Sequence, residues 1–148
     1  MLIAGIDVGK RGGIAFIDRE TLRAEVFSMP EDFQDTIRLF FERKDKILRV
    51  FIEKQQAFPK QGVVSTFRLG VQYGMLIGLL KVLRIPYEEV PPQRWQKAVL
   101  AVSRKNRNQK KALSLQMANA LFPDLNIGKH DGKADALLIA EYGRRICL

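Results

Sequence analysis

Cysteine is almost missing from this chain. Its 148 residues include one, Cys147, so no disulfide can close within the chain, and the expected setting is a reducing cytoplasm. Histidine is equally scarce, with His130 alone. Acid is in deficit: 16 Asp and Glu face 25 Lys and Arg, a formal net charge of +9 at pH 7. A folded chain with that balance attracts polyanions, and charge alone does not choose between nucleic acid and an anionic membrane surface. Long apolar runs are also lacking. The uncharged stretch from Leu69 to Leu80 falls well short of the roughly 20 residues a spanning helix needs, so no membrane association is expected. Asp7 interrupts the first apolar run and no basic segment precedes it, which argues against a cleaved signal peptide. With no Ser/Gly linker, repeat or low-complexity tract, and 47% hydrophobic residues for a core, one domain over 1–148 is expected.

What is present reads as strands first and helices after. Residues 2–7 and 13–18 flank a glycine-bearing turn and predict a hairpin, with 23–28 as a third strand of an antiparallel meander. Phe33, Ile37, Phe40 and Phe41 recur at helical spacing within 31–43, and 47–53 is a continuous apolar strand. A long helix is predicted from about Ser65 to Leu83, with Gly70, Gly74 and Gly78 on one stripe that permits close helix approach or packs on the chain's own sheet. A short strand, Tyr87 to Val90, ends at Pro91 and Pro92, and helices follow at about 93–100, 108–121 and 132–146. The fold class is thus α/β, a mixed central sheet flanked by helices.

Four carboxylates stand out by their positions. Asp7 closes the apolar run Leu2 to Ile6, Glu53 closes Leu48 to Ile52, and Asp131 and Asp135 lie one helical turn apart beside the last apolar segment. Hydrolysis of a phosphodiester needs an activated water and a stabilised leaving oxygen, which two Mg²⁺ ions about 3.5–4 Å apart can supply. Carboxylate oxygens suit that metal, with Mn²⁺ as a substitute. On this reading Asp7 bridges the ions, Glu53 and Asp131 each hold one side, and Asp135 completes the cage. In the alternative reading, Asp131 caps the last helix and Asp135 is solvated. With a basic exterior, the acids point to a metal-dependent nuclease.

The order of these pieces carries a resemblance. Gly5-Ile6-Asp7-Val8-Gly9, Phe51-Ile52-Glu53 before a glycine-bearing helix, Val90-Pro91 before Trp95-Gln96-Lys97, and Asp131-x-x-x-Asp135-Ala136-Leu137 resemble the RuvC family of Holliday-junction resolvases over nearly the whole chain. The Pro-x-x-Trp segment is more similar to the short phage and plasmid members, which implies a bacterial or phage-infected cell. The resemblance implies an RNase H-like fold, Mg²⁺-dependent endonuclease activity on four-way and other branched DNA, and a homodimer making paired cuts. The terminal acids are four residues apart here where better-known members have three, which bears on Asp131. His130, beside it, either joins the metal site as a histidine does in some members or caps the helix.

The remaining candidates touch DNA. The segment from Ser103 to Lys111 packs Arg104, Lys105, Arg107, Lys110 and Lys111 ahead of a helix, a pattern suited to phosphate contacts or to a solvated loop. By resemblance, Lys97 and Lys111 fall where the family keeps lysines near the scissile phosphate, and Lys111 is counted with the catalytic residues. Phe58, in the polar loop after Glu53, either wedges between base pairs at a branch point or folds back onto the core. Trp95 is read as a packing residue. Three other readings stay open: a nuclease acting on RNA or RNA–DNA hybrid, a non-catalytic DNA-binding module, and the phosphate loop of the actin and sugar-kinase ATPases, which Asp7 to Gly13 also resembles. Those ATPases need two such domains around a nucleotide.

Overall fold

A computed structural model describes residues 1–101 and 107–147. Arg104 and Lys105 lie outside the described residues, and Arg107 is described only as the first residue of a helix. The elements run β1 (Leu2–Asp7), β2 (Gly13–Asp18), β3 (Ala24–Ser28), α1 (Phe33–Arg43), β4 (Ile47–Glu53), α2 (Val63–Val82), β5 (Tyr87–Val90), α3 (Pro92–Leu100), α4 (Arg107–Leu121) and α5 (Asp131–Ile146). The strands form one sheet in the order β3-β2-β1-β4-β5. The meander is antiparallel, whereas β4 pairs parallel with both β1 and β5. This is the mixed sheet that the sequence predicts.

Strand side chains alternate between faces, and here the alternation decides where the acids go. Ala4, Ile6, Val50 and Ile52 pack with Phe40 of α1 and with Leu76, Leu79 and Leu80 of α2. Ile3 and Phe51 pack on the opposite face with Trp95 of α3 and with Leu137, Ile139 and Tyr142 of α5. Asp7 and Glu53 share the parity of Ile3 and Phe51, so both turn toward α5. In the β1–β4 register Ile6 sits beside Ile52, and one step on the two acids leave adjacent strand ends.

The helix α5 lies unusually close to the sheet. A Cβ on Gly5 would run into the backbone of Ala136 and Ala140, and one on Gly132 would run into the backbone of Arg11 and Gly12. Its first turn is capped by His130, whose Nδ1 accepts from the Lys133 N–H at 3.0 Å. Capping thus falls to His130, and the reading of Asp131 as the cap is corrected: Asp131 is the first helical residue.

The helix α2 departs most from expectation. It begins at Val63 and reaches 20 residues; its uncharged stretch is still the short one from Leu69 to Leu80, bounded by Arg68 and Lys81, although by length and composition alone the whole helix is long and apolar enough to cross a membrane. One side of it packs on the sheet through Leu76, Leu79 and Leu80. Its glycines do not: among the described residues a Cβ on Gly70, Gly74 or Gly78 would meet nothing within 4 Å beyond its own helix, so their packing on the chain's own sheet is ruled out. Exposed Val63, Phe67, Val71, Met75 and Val82 accompany them, Val63 at 84% and Phe67 at 73% exposure.

If the close approach of α5 sets the fold, Gly5→Ala should destabilise the protein by roughly 1–3 kcal/mol, the usual cost of overpacking a core. Urea unfolding followed by circular dichroism measures this, and an unchanged midpoint would show that the helix can yield.

Candidate active site

Three acids meet in one cleft. A cavity of about 520 Å³ is lined by Asp7, Asp131 and Asp135 together with Gly9, Arg11, Gln96, Lys110, Lys111 and Ser114. Four elements build it: the end of β1 with its glycine turn, α3 through Gln96, the N-terminal half of α4, and the first turns of α5. The turn after Asp7 is held from outside, since the Gly9 N–H donates to Gln72 Oε1 of α2 at 2.8 Å. Gly9 has φ +124°, a conformation that suits glycine.

Glu53 stands at the edge of this group. It lines a neighbouring cavity of about 300 Å³ with Gln55, Gln56, Phe58 and Gln61. Its Oε2 accepts from the buried indole Nε1–H of Trp95 at 2.6 Å, and the Gln55 side chain donates to its main-chain oxygen at 2.9 Å. Trp95 is core, as the sequence predicts, but it also holds a candidate ligand.

The charges act on one another. Burial raises the Asp7 carboxyl well above its ordinary range, and the charges of Asp135, Glu53 and Asp131 raise it further. Asp135 is pushed up to about 7, first by burial and then by Glu53 and Asp131, against a hydrogen bond from Ser114 and the charge of Lys111. Glu53 is raised by burial and partly relieved by Trp95 and Gln55. Burial also acts to raise Asp131, but the Lys111 side chain outweighs it, with Nζ at 3.1 Å from Asp131 Oδ2, and the carboxyl ends below its ordinary value. Raised acids placed to disfavour one another's ionisation mark a site short of positive charge.

That shortage is the test of a metal. The donors are hard carboxylate oxygens of the kind that bind Mg²⁺ or Mn²⁺, and the repulsion among them is what a divalent cation relieves. In kind, the residues fit. In placement they are looser: among the described residues, no three acidic, histidine or cysteine side chains form a closed metal-binding group. Trp95 and Lys111 engage one oxygen each of Glu53 and Asp131.

The other predicted residues divide. Lys110 and Lys111 line the cleft, whereas Lys97 is exposed on α3 and its neighbour Gln96 lines the cleft instead. Phe58 is 59% exposed and does not fold back onto the core. His130 is engaged through Nδ1 in capping α5. Arg11, Gln96, Ser114 and the indole of Trp95 were not singled out as site residues. Ser114 follows Lys111 by three positions on α4 and so shares its face, a spacing that does point to it.

Comparison with known proteins bears on the fold. No family model matches the chain. A chloroplastic Holliday junction resolvase of Chlamydomonas reinhardtii is 29% identical over 111 residues, 72% of this chain, which spans only 12% of that protein's length. Among solved structures, Thermus thermophilus RuvC in complex with its Holliday junction substrate superposes with a TM-score of 0.67 at 17% identity, covering 99% of this chain and 96% of that one. The chain has the RuvC-type, RNase H-like fold. Thermus thermophilus RuvC on its own gives a TM-score of 0.63 at 16% identity, with 99% and 97% covered. The yeast mitochondrial Holliday junction resolvase gives 0.57 at 18% identity, covering 97% of this chain and 78% of that one.

The position of Asp135 implies a pH dependence. A carboxyl raised from 3.8 to about 7 holds its proton more tightly folded than unfolded, so without metal it costs stability as pH rises through that window. With a chelator present, Asp135→Asn should therefore raise the free energy of unfolding at pH 8, by about 4 kcal/mol at most for a roughly three-unit shift, and change it little at pH 4. A less stable Asn variant at pH 8 would contradict the electrostatic reading.

Proposed function

We propose that this protein is a metal-dependent endonuclease that resolves four-way DNA junctions and related branched DNA by paired phosphodiester hydrolysis. The gathering of Asp7, Asp131 and Asp135 in one cleft with Lys110 and Lys111, beside Glu53, carries the reading, and the RuvC-type fold supports it. Asp7, Glu53, Asp131 and Asp135 would hold two divalent ions, Mg²⁺ with Mn²⁺ as a substitute. When bound, such ions activate a water and stabilise the leaving oxygen of an in-line displacement.

The chain's own residues supply the rest. Lys111, paired with Asp131, carries its charge into the cleft, where it can turn to the developing negative charge on the phosphate. Lys110 and Arg11 extend that positive lining, and Arg104, Lys105 and Arg107 would continue it along the backbone. Phe58 projects from the loop after Glu53, exposed as an aromatic must be to enter a base stack at a branch point. The basic exterior draws in the polyanion, and the acids at the centre act on it.

Two copies are required for paired cuts, one site on each. The surface that fits a second copy is the stripe on α2, where Val63, Phe67, Val71, Met75 and Val82 recur beside three glycines that leave room for a close helix. Because a Cβ at Gly74 would meet no described residue within 4 Å beyond its own helix, Gly74→Leu should report on a partner and spare the fold.

Cleavage of four-way DNA, forked DNA, linear duplex and RNA–DNA hybrid in Mg²⁺ tests the substrate. We expect cleavage of the four-way junction in preference to linear duplex and hybrid. We also expect Asp7→Asn to abolish cleavage while junction affinity stays within about two-fold, since phosphate contacts carry affinity. Preference for the hybrid, or cleavage by Asp7→Asn near the wild-type rate, would sink the reading. For assembly, sedimentation should show a dimer that Gly74→Leu weakens at least ten-fold. Wild-type mixed with Asp7→Asn should nick one strand of a junction and leave the opposing strand uncut. A wild-type monomer both free and on the junction would refute the dimer, and a Gly74→Leu dimer of undiminished strength would refute this interface.

A further inference from the structure

Trp95 is the chain's single tryptophan, and it is fully buried on α3 among Phe51, Val90, Val99 and Leu137. A buried indole N–H needs an acceptor, and a main-chain carbonyl would satisfy it. Here the acceptor is instead the carboxylate of Glu53, 42 residues away, at 2.6 Å. The Gln55 side chain holds the main chain of the same residue. A glutamate has three rotatable side-chain bonds, and without such a tether its carboxylate would sample several rotamers at the end of β4. Proline at the start of α3 and the packed core around the indole leave Trp95 itself little freedom. The rigid partner therefore sets the orientation of the mobile one.

We propose that Trp95 is a positioning residue that fixes the Glu53 carboxylate for divalent-ion binding, and that its emission reports occupancy of the site. The inference rests on the functional reading above and adds to it the residue that orients one ligand. A neutral donor suits the task. It restrains the carboxylate without supplying a positive charge that would compete with the cation, as the ammonium of Lys111 does at Asp131. Losing a hydrogen bond that orients a ligand typically costs about 10- to 100-fold in metal affinity.

The test uses the full chain without DNA. Titration calorimetry with Mg²⁺ should give a half-saturating concentration about ten-fold higher for Trp95→Phe than for the wild type, because Phe keeps most of the bulk and loses the donor. Metal-free junction affinity should be unchanged. In the wild-type protein, tryptophan emission should change saturably over the same Mg²⁺ range, and Asp7→Asn, which leaves the Trp95–Glu53 pair intact, should abolish the response. Equal Mg²⁺ midpoints for wild type and Trp95→Phe would overturn the proposal. So would calorimetric binding with no emission change, a result that stands even if Trp95→Phe does not fold. A wild-type protein that neither takes up Mg²⁺ nor cleaves a junction would remove the functional reading, and this inference with it. Uptake and cleavage that are indifferent to Trp95 would remove only the inference.

Discussion

The contact between α5 and the sheet is the constraint on which the site depends. Gly5 lets the backbone of Ala136 and Ala140 settle against β1, and Gly132 does the same against the turn at Arg11 and Gly12. Side chains at these places would lift the helix off the sheet. Because Asp131 and Asp135 occupy the first two turns of that helix and Asp7 ends the strand beneath it, the packing distance also sets how far apart the charges stand. The same closeness withdraws Asp7 from water, and burial is the leading cause of its raised pKa. Tight backbone packing and electrostatic strain are here two consequences of one arrangement.

That strain has a direction. The outer acid, Asp131, is ion-paired to Lys111 and lowered, while the inner ones, Asp7 and Asp135, are raised. A phosphate entering the cleft would first meet Lys110, Lys111 and Arg11 and then an excess of negative charge. Attraction outside and repulsion inside are what the proposed divalent ions would reconcile, by adding positive charge at the centre. The net charge of +9 is therefore a property of the exterior and says little about the site.

Much of this was legible in the residues. The described elements follow from apolar runs, the glycine turn, helical spacing and the breaks at Pro91 and Pro92, and the parity of Ile3, Gly5 and Asp7 already puts the first acid on one face. Local signals failed where the deciding partner was distant. Trp95 to Glu53 spans 42 residues and Gly9 to Gln72 spans 63, and no short-range pattern announces either. Gly5 and Gly132 gave no cue to their packing role, because a glycine's need for space shows only once the opposing backbone is in place. At the start of α5 the competition was between neighbours: His130 and Asp131 are both polar and adjacent, and the imidazole nitrogen took the cap, which left the carboxylate for the cleft.

The two sides of α2 connect site and surface. Leu76, Leu79 and Leu80 root it in the sheet, and Gln72, four residues before Leu76, lies on the same side and accepts from the Gly9 N–H in the turn that follows Asp7. Val63, Phe67 and Val71 recur every four residues on the side left open. A helix anchored so firmly on one side can present a fixed apolar face on the other without disturbing the turn, because the leucine contacts and the Gln72 hydrogen bond hold it in register. A partner packing on the outer stripe would therefore meet a surface already fixed relative to Asp7.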